Sequence, residues 1–411
     1  MARSRIGIMG GSFNPIHRRH LQIAERALLD MKLDQVLFIP NGNPPHKQQE
    51  LADTQHRMEM TRLAVIPYQK FTATDIEITR TGVIYTVDTL RLLRKQYPEA
   101  EFICLIGEDA MGDLTGWYEP LELFSLCSFA VCKRTSEVLD DQPVVKKLRT
   151  LGAKLSFLSL EPKDISASDI RRRIQNGEDV QALLTPEVYE YIRLTGLYGC
   201  PVLPGADVQL YTRLRDMLSD DRLLHSMAVA STAHHLAVIY SLPADACELA
   251  GLLHDCAKCM DLGTLRQIAQ EHKLKLSDTE MRSNGLLHGP VGAVIAKEQF
   301  GVRDPAVLGA ISAHTTGYAG MEDFDMVVFL ADKIEPYRNH IDGLDVIRTQ
   351  AQKDLHGATY RMLLHSREYL LKTHRLLHPD TDKTIAWMRD RIHTKGENSV
   401  HDIQGNRNQG R

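Results

Sequence analysis

The stretch Arg5-Ile6-Gly7-Ile8-Met9-Gly10-Gly11-Ser12-Phe13-Asn14-Pro15-Ile16-His17-Arg18-Arg19-His20 decides how the first half of this chain folds. Residues 5–9 form a short apolar run that reads as a buried strand, and it stops at two glycines. Past His20, the apolar Leu21, Ala24 and Leu28 recur at helical spacing. A strand, a glycine turn and a helix together bring backbone N–H groups and the positive end of a helix dipole to a phosphate. His17 and His20 stand three residues apart on one face of the helix start, where both can donate to the same anion. The pair also reads as two surface histidines at a helix cap, and alone the stretch leaves both readings open.

Working outward, residues 35–39, 102–106 and 129–132 are further short apolar runs, and 86–97 has helical periodicity with apolar Val87, Leu90 and Leu93. Strand and helix in alternation predict a parallel sheet with helices on both faces, and such sheets bind ligands beyond the carboxyl ends of their strands. A second element, Ile165-Ser166-Ala167-Ser168-Asp169-Ile170-Arg171, reads as a loop feeding a helix N-terminus, with Ser166 and Asp169 in capping-box spacing. Its hydroxyls, amides and Arg171 suit the outer phosphates of a nucleoside triphosphate; a well-capped surface helix is the plain alternative. Phosphoryl and nucleotidyl transfer need donors and cations placed where charge grows, which is what these two elements together offer.

At 411 residues the chain suits two domains of about 200 residues each. Residues 199–205, holding Pro201 and Pro204, break the alternating rhythm and read as a linker. After it come long helical patterns, and fourteen of the 18 histidines. The expected boundaries are 1–198, a linker over 199–206, 207–393, and a polar disordered tail over 394–411. A formal net charge of −4 argues against a surface built for nucleic acid. No apolar run has membrane-spanning length, no signal peptide opens the chain, and the seven cysteines are odd in number, so a cytoplasmic protein is expected. The Cys256–Cys259 C-x-x-C has no second pair at zinc-site spacing and reads as a coincidence on a helix. A homo-oligomer is left open.

In the second half His225, His254, Asp255, His288, His314 and Asp332 stand out. His254-Asp255 ends the apolar run 246–253, and Asp332 follows the apolar run 326–331, so these polar groups fall at buried helix ends. Buried imidazole and carboxylate need partners, and helices of a bundle that present them together hold Fe, Mn or similar ions. For any one histidine, a hydrogen-bonded core residue is the plain alternative. Lys258, Thr315, Thr316 and Arg338 are secondary candidates for phosphate contacts, or solvated surface.

The first half resembles bacterial nicotinate-mononucleotide adenylyltransferases. The residues that carry the resemblance are the 10–15 loop, His17/His20, Pro40-Asn41, Pro44-Pro45-His46-Lys47, Tyr85-Thr86-Val87-Asp88-Thr89, Ile106-Gly107-Glu108-Asp109, Trp117-Tyr118, Lys133-Arg134 and the Ser166–Arg171 segment. The resemblance implies an α/β, Rossmann-like nucleotidyltransferase that converts nicotinate mononucleotide and ATP, with Mg²⁺, to deamido-NAD and pyrophosphate. It implies that His17, His20, Ser168 and Arg171 hold ATP, with Gly10, Gly11, Ser12, Phe13 and Ser166 around its phosphates and Asp109 near a ribose. Asn41, His46, Thr86, Trp117, Tyr118 and Arg134 would line the pyridine-nucleotide pocket. Core packing for Trp117 and a helix N-cap for Thr86 are compatible readings. One position departs from the family's His-x-Gly-His: Arg19 replaces the glycine. An arginine there blocks the nucleotide, swings out to solvent, or contacts a phosphate. The first outcome would make this domain a catalytically impaired nucleotide-binding or regulatory module attached to an active hydrolase.

The second half resembles the HD superfamily of metal phosphohydrolases, nearest to enzymes that cleave diadenosine tetraphosphate symmetrically to two ADP. The matching segments are 222–226, 252–258, 287–292, 313–317 and 330–336. This implies an all-α HD-domain bundle with His225, His254, Asp255 and Asp332 around one divalent transition metal, Fe or Mn, and His288 and His314 extending the site to a second. Asp255 takes the central catalytic position, and the substrate is a dinucleoside polyphosphate. An HD enzyme for a mononucleotide or a guanosine-containing alarmone is the second reading.

Overall fold

The computed structural model describes residues 4–42, 51–133, 140–160, 165–206, 209–338 and 342–392. The expected tail over 394–411 lies outside these residues. The chain divides into two compact units, one of Met1–Ile192 with Gly196–Cys200, the other of Arg193–Thr195 with Pro201–Arg411.

The first unit holds a six-stranded sheet: β1 (Arg5–Gly11), β2 (Gln35–Pro40), β3 (Phe71–Ala73), β4 (Glu101–Gly107), β5 (Cys127–Cys132) and β6 (Leu155–Leu158). Every pairing is parallel, in the order β3-β2-β1-β4-β5-β6. The central strands form because their apolar residues bury on both faces: Ile6 and Ile8 alternate with Met9, and Leu37 and Ile39 with Val36 and Phe38, all 5% exposed or less. Four strands follow the sequence expectation with ends shifted by a residue or two, while β3 and β6 are additional. Chain order reverses between β1 and β4, so a crevice opens at their carboxyl ends, where Gly10-Gly11 and Gly107 lie. The position of the first motif therefore follows from the topology.

Described residues of the second unit contain helices and no strand. Five helices build its core: Asp220–Ile239, Ala244–Leu253, Asn284–Glu298, Pro305–Ala313 and Asp323–Ile334. Two glycines let them approach closely. A Cβ on Gly289 would sit 2.7 Å from the Ser312 carbonyl, and one on Gly251 would sit 3.1 Å from Ala230 Cα. At Gly289 only glycine permits the crossing, and at Gly251 a side chain would push the helices apart; the two approaches bring His288 beside His314 and His254 beside His225, with ring centroids 5.0 and 5.1 Å apart. Among the described residues no helix is long and apolar enough to cross a membrane.

Candidate active sites

At the end of β1 the chain turns through Phe13, whose backbone is left-handed (φ 44°), and its ring is 2% exposed and packs edge-on to His20 at 5.1 Å. A side chain on Gly11 would press this ring, with a Cβ 3.1 Å away. His17 caps the helix Arg18–Asp30; its N–H donates to His20 Nδ1 at 3.2 Å, and the two imidazoles stack at 3.7 Å. Because His20 Nδ1 accepts, the proton of the neutral ring sits on Nε2. Burial drives both histidines toward the neutral form: His17 falls to about 4, and His20 drops well below its ordinary value, with the neighbouring His17 adding to the effect. His17 Nδ1 is buried with no hydrogen-bond partner. The pair thus offers neutral donors, and a bound anion would favour their protonation.

The second motif meets the first. Ser166 caps the helix Ala167–Gln175 by accepting from the Asp169 N–H at 3.1 Å, its hydroxyl is 3.2 Å from that of Ser168, and Arg171 Nη1 donates to the Asn14 carbonyl at 2.9 Å. Asn41 N–H donates to the Gly11 carbonyl at 2.8 Å, placing Asn41 beside the same loop. Arg57, 1% exposed, was not foreseen: it donates to the carbonyls of Ser12 (2.9 Å), Gly42 (3.2 Å) and Ala52 (3.1 Å) and so fixes the phosphate-loop backbone from behind.

Asp109 lies in the helix Glu108–Asp113, directly beyond β4. Tyr118 stacks on Tyr85 at 4.3 Å, just before Thr86, and Trp117 packs partly buried against the core. Thr86 is the first helical residue and Tyr85 the N-cap, so the N-cap reading of Thr86 is corrected. His46 and Arg134 lie outside the described residues. Arg19 does not swing out to solvent: it is 9% exposed, with Nη2 at 3.9 Å from Cys132 Sγ at the end of β5. Its charge still reaches His17, where it adds to the lowering that burial causes.

The second unit gathers all six expected residues. His254, His288 and His314 each place Nδ1 against a carbonyl of their own helix, at 2.6 Å (Gly251), 3.0 Å (Asn284) and 2.7 Å (Ile311). Those bonds consume the Nδ1 proton, so every Nε2 carries a lone pair toward the centre. His288 Nε2 lies 3.1 Å from His314 Nε2 and 3.0 Å from Asp255 Oδ1. His225 Nε2 lies 3.0 Å from Asp332 Oδ1, and His254 Nε2 is 3.6 Å from both Asp255 Oδ2 and Asp332 Oδ1. His254 Nε2 and Asp255 Oδ1 are buried without a hydrogen-bond partner.

Converging acceptors of this kind repel one another unless a cation sits among them, and the donor set of imidazole and carboxylate suits a divalent transition metal. Among the described residues of the cluster, two groups have ligand atoms within 4.8 Å of one another: His225, His254 and Asp332, and His254, Asp255 and His314. A third, His234, Asp245 and Glu248, is instead taken by the Arg193 guanidinium, 2.6 Å from Asp245 and 3.0 Å from Glu248. Burial lowers His288 and takes His314 to about 3, keeping both neutral as ligands must be. Burial alone would raise Asp255 and Asp332, yet both are held well below the usual carboxylate range, Asp332 by the Lys333 ammonium beside it.

Glu335, 2% exposed and not assigned in advance, sits 3.2 Å from His225 Nδ1, completing a carboxylate–histidine pair behind the ligand atom. Lys258 approaches His288 (3.1 Å), Thr315 donates to His314 (3.1 Å) and Arg338 donates to Asp332 (2.9 Å), so these candidates stand at the cluster; the Thr316 hydroxyl donates to Gly317. Of the C-x-x-C pair, Cys256 is buried and donates to the Gly292 carbonyl, and Cys259 is exposed.

An α/β unit with a glycine loop and histidine pair at its strand switch, followed by a helical His/Asp cluster, defines a nucleotidyltransferase joined to a metal-binding phosphohydrolase. Residues 8–173 match the cytidylyltransferase-like family and residues 222–337 match the HD domain. A nicotinate-nucleotide adenylyltransferase/Ap4A hydrolase of Mycoplasma genitalium is 31% identical over 336 residues, covering 82% of this chain and 89% of its own length. The chain belongs to that two-domain adenylyltransferase/hydrolase family. A nicotinate-nucleotide adenylyltransferase of Synechococcus sp. (strain JA-3-3Ab) is 40% identical over 202 residues, 48% of this chain and 96% of its own. Among solved structures, an HD superfamily hydrolase from Clostridium acetobutylicum is 32% identical, covers 45% of this chain and 97% of its own, and has a TM-score of 0.43.

Proposed function

We propose that this chain runs both activities of its family, making deamido-NAD and pyrophosphate from ATP and nicotinate mononucleotide, and splitting diadenosine tetraphosphate with water into two ADP. In the first, a phosphate oxygen of nicotinate mononucleotide attacks the α-phosphorus of ATP and the bond to the β-phosphate oxygen breaks. No covalent bond to protein forms. His20 Nε2–H and His17, the loop amides of residues 10–13 and the Ser166/Ser168/Arg171 element stabilise the charge that passes to pyrophosphate, with Mg²⁺ accompanying ATP. Asn41 and Thr86 offer donors to the nicotinate carboxylate, and Trp117 and Tyr118 offer flat faces to its ring.

In the second activity, His225, His254, Asp332, Asp255, His314 and His288 would hold one or two divalent ions, Fe or Mn by donor type. Such ions polarise a phosphate and lower the pKa of bound water. The protein's own cations, Lys258, Lys333 and Arg338, meet the remaining phosphate charge, while Glu335 keeps His225 oriented. The observation that carries the reading is that, in each unit, residues from distant motifs assemble around one centre: Arg171 on Asn14, and six candidate ligands from five helix segments.

The test is product analysis on the full-length protein. With nicotinate mononucleotide, ATP and Mg²⁺, stoichiometric deamido-NAD and pyrophosphate are expected. With diadenosine tetraphosphate and Mn²⁺, ADP alone is expected; AMP with ATP would overturn symmetrical cleavage.

A further inference from the structure

The His/Asp cluster opens into a cavity of about 580 Å³, within the roughly 300–1,000 Å³ range of small-molecule sites. Its lining residues fall into two groups of different chemistry. One group is Asp255, His314 and Asp332 with Lys258, Lys333 and Arg338 beside them. The other is built beyond residue 337, where the HD match ends, by the helix Leu355–Lys372 and the turn that follows it.

That turn has a definite cause. His374 takes a left-handed backbone (φ 51°), and the Arg375 N–H reaches back to the Leu370 carbonyl at 3.0 Å, closing the helix as a Schellman motif does. The reversal lays the Arg375 guanidinium 5.6 Å from the centre of the Tyr369 ring. Tyr369 is 44% exposed and Leu376 is 55% exposed, so a flat aromatic face and an aliphatic side chain are presented together on the cavity wall. Arg367, the neighbouring guanidinium, is held by Asp382 at 2.6 Å; Arg375 has no carboxylate partner among the described residues.

We propose that Tyr369, Leu376 and Arg375 form the nucleoside subsite of the hydrolase, an assignment that rests on reading the His/Asp cluster as a phosphohydrolase. The base stacks on Tyr369 against Leu376, Arg375 faces the phosphate joined to the ribose, and the remaining phosphates run toward Lys258, Lys333 and Arg338. One cavity thus holds apolar, cationic and metal-ligating side chains, the three kinds of partner that a nucleoside polyphosphate needs. Selectivity for nucleotides over inorganic phosphates then resides in the segment after the HD core, whereas cleavage resides in the core.

Calorimetric titration of ADP and of inorganic pyrophosphate into Mn²⁺-loaded full-length protein tests this, in a His20→Ala background that keeps the N-terminal site identical throughout. Tyr369→Ala should weaken ADP about tenfold and leave pyrophosphate within about twofold; Tyr369→Phe should restore ADP binding. In steady state, the same Ala variant should raise KM for diadenosine tetraphosphate with kcat nearly unchanged. Equal weakening of ADP and pyrophosphate would make the wall a scaffold and overturn the assignment, as would unaltered ADP binding. A background protein that binds neither ligand with Mn²⁺ present would instead sink the phosphohydrolase reading, and this subsite with it.

Discussion

The two units meet the same problem, a polyanionic nucleotide, with opposite physical means. At the end of β1 the chain assembles donors: a neutral His17/His20 stack, a glycine loop backed by Arg57, and a capped helix tied on by Arg171. In the helical unit it assembles acceptors, Nε2 lone pairs and carboxylate oxygens crowded to between 3.0 and 3.9 Å. Donors meet phosphate directly. Acceptors repel phosphate, so the second site works only through a cation. The comparison teaches that a histidine's job is set by which ring nitrogen the backbone claims. His20 Nδ1 accepts an N–H and leaves a donor outward, whereas in His254, His288 and His314 Nδ1 donates to a carbonyl and leaves an acceptor outward.

The sharpest way to break this contrast is a crossed pair of substitutions. Asp255→Asn removes a carboxylate common to the cluster, and diadenosine tetraphosphate hydrolysis should fall beyond the roughly 10²–10³-fold that loss of one preorganised donor costs. Pyrophosphate release with nicotinate mononucleotide should not change. His20→Ala should do the reverse, lowering adenylyl transfer by about 10²-fold while hydrolysis stands. If either substitution lowers both activities alike, the two sites are not independent. Chelation should copy Asp255→Asn for the hydrolase.

Acid should act on the two units differently. His17 has an ordinary pKa of 6.5 when unfolded and about 4 when folded, so between these values the unfolded state binds more protons. Its contribution is complete above 6.5 and is lost as pH falls through 4, on the order of 3 kcal/mol for that separation. Trp117 lies in the first unit and Trp387 in the second, so a Trp387→Phe background lets fluorescence report the first. Melting followed this way should drop between pH 6.5 and 4.5 in the parent and drop less in His17→Asn. An equal drop would place the acid sensitivity elsewhere.

Much of this architecture was legible in the sequence, for reasons that particular residues make clear. β1, β2, β4 and β5 announce themselves because both faces are buried, which writes continuous apolar runs. β3 is only Phe71–Ala73, and β6, Leu155–Leu158, has one buried residue in four, so neither leaves a periodic trace. His254-Asp255 and Asp332 were visible because polar residues ending apolar runs need partners. Glu335 was not, since its meaning is a contact with His225, 110 residues away. Arg57 looks like any arginine of a helix, and only its three carbonyl partners from separate loops reveal it. Tyr369 and Arg375 read as an ordinary exposed helix end until the cavity joins them to the cluster.

Glu335 refines the metal side of the comparison. Glu335→Gln keeps the shape but cannot hold His225 in the same tautomer and charge environment. Metal affinity, measured by competition with a chelating dye, should weaken about 10- to 100-fold, as loss of such supporting carboxylates does. Adenylyl transfer should be untouched. Unchanged affinity would reduce Glu335 to a packing role.

The smallest effect is expected where the family motif is broken. Arg19 stands where glycine is usual, yet it is 9% exposed and its guanidinium reaches Cys132 at the end of β5. A side chain already housed beside β5 does not need removing for the nucleotide to bind. Arg19→Gly should therefore leave pyrophosphate release within about threefold, and its main cost should be to stability, about 1 kcal/mol for glycine in the first helical turn, since it forgoes a restricted backbone as well as the side chain's packing. The pairing to run is steady-state adenylyl transfer and thermal melting of parent and variant together. A parent that is silent until the glycine is restored would mean that Arg19 holds the donor site shut, and the first unit would then bind nucleotides without transferring them.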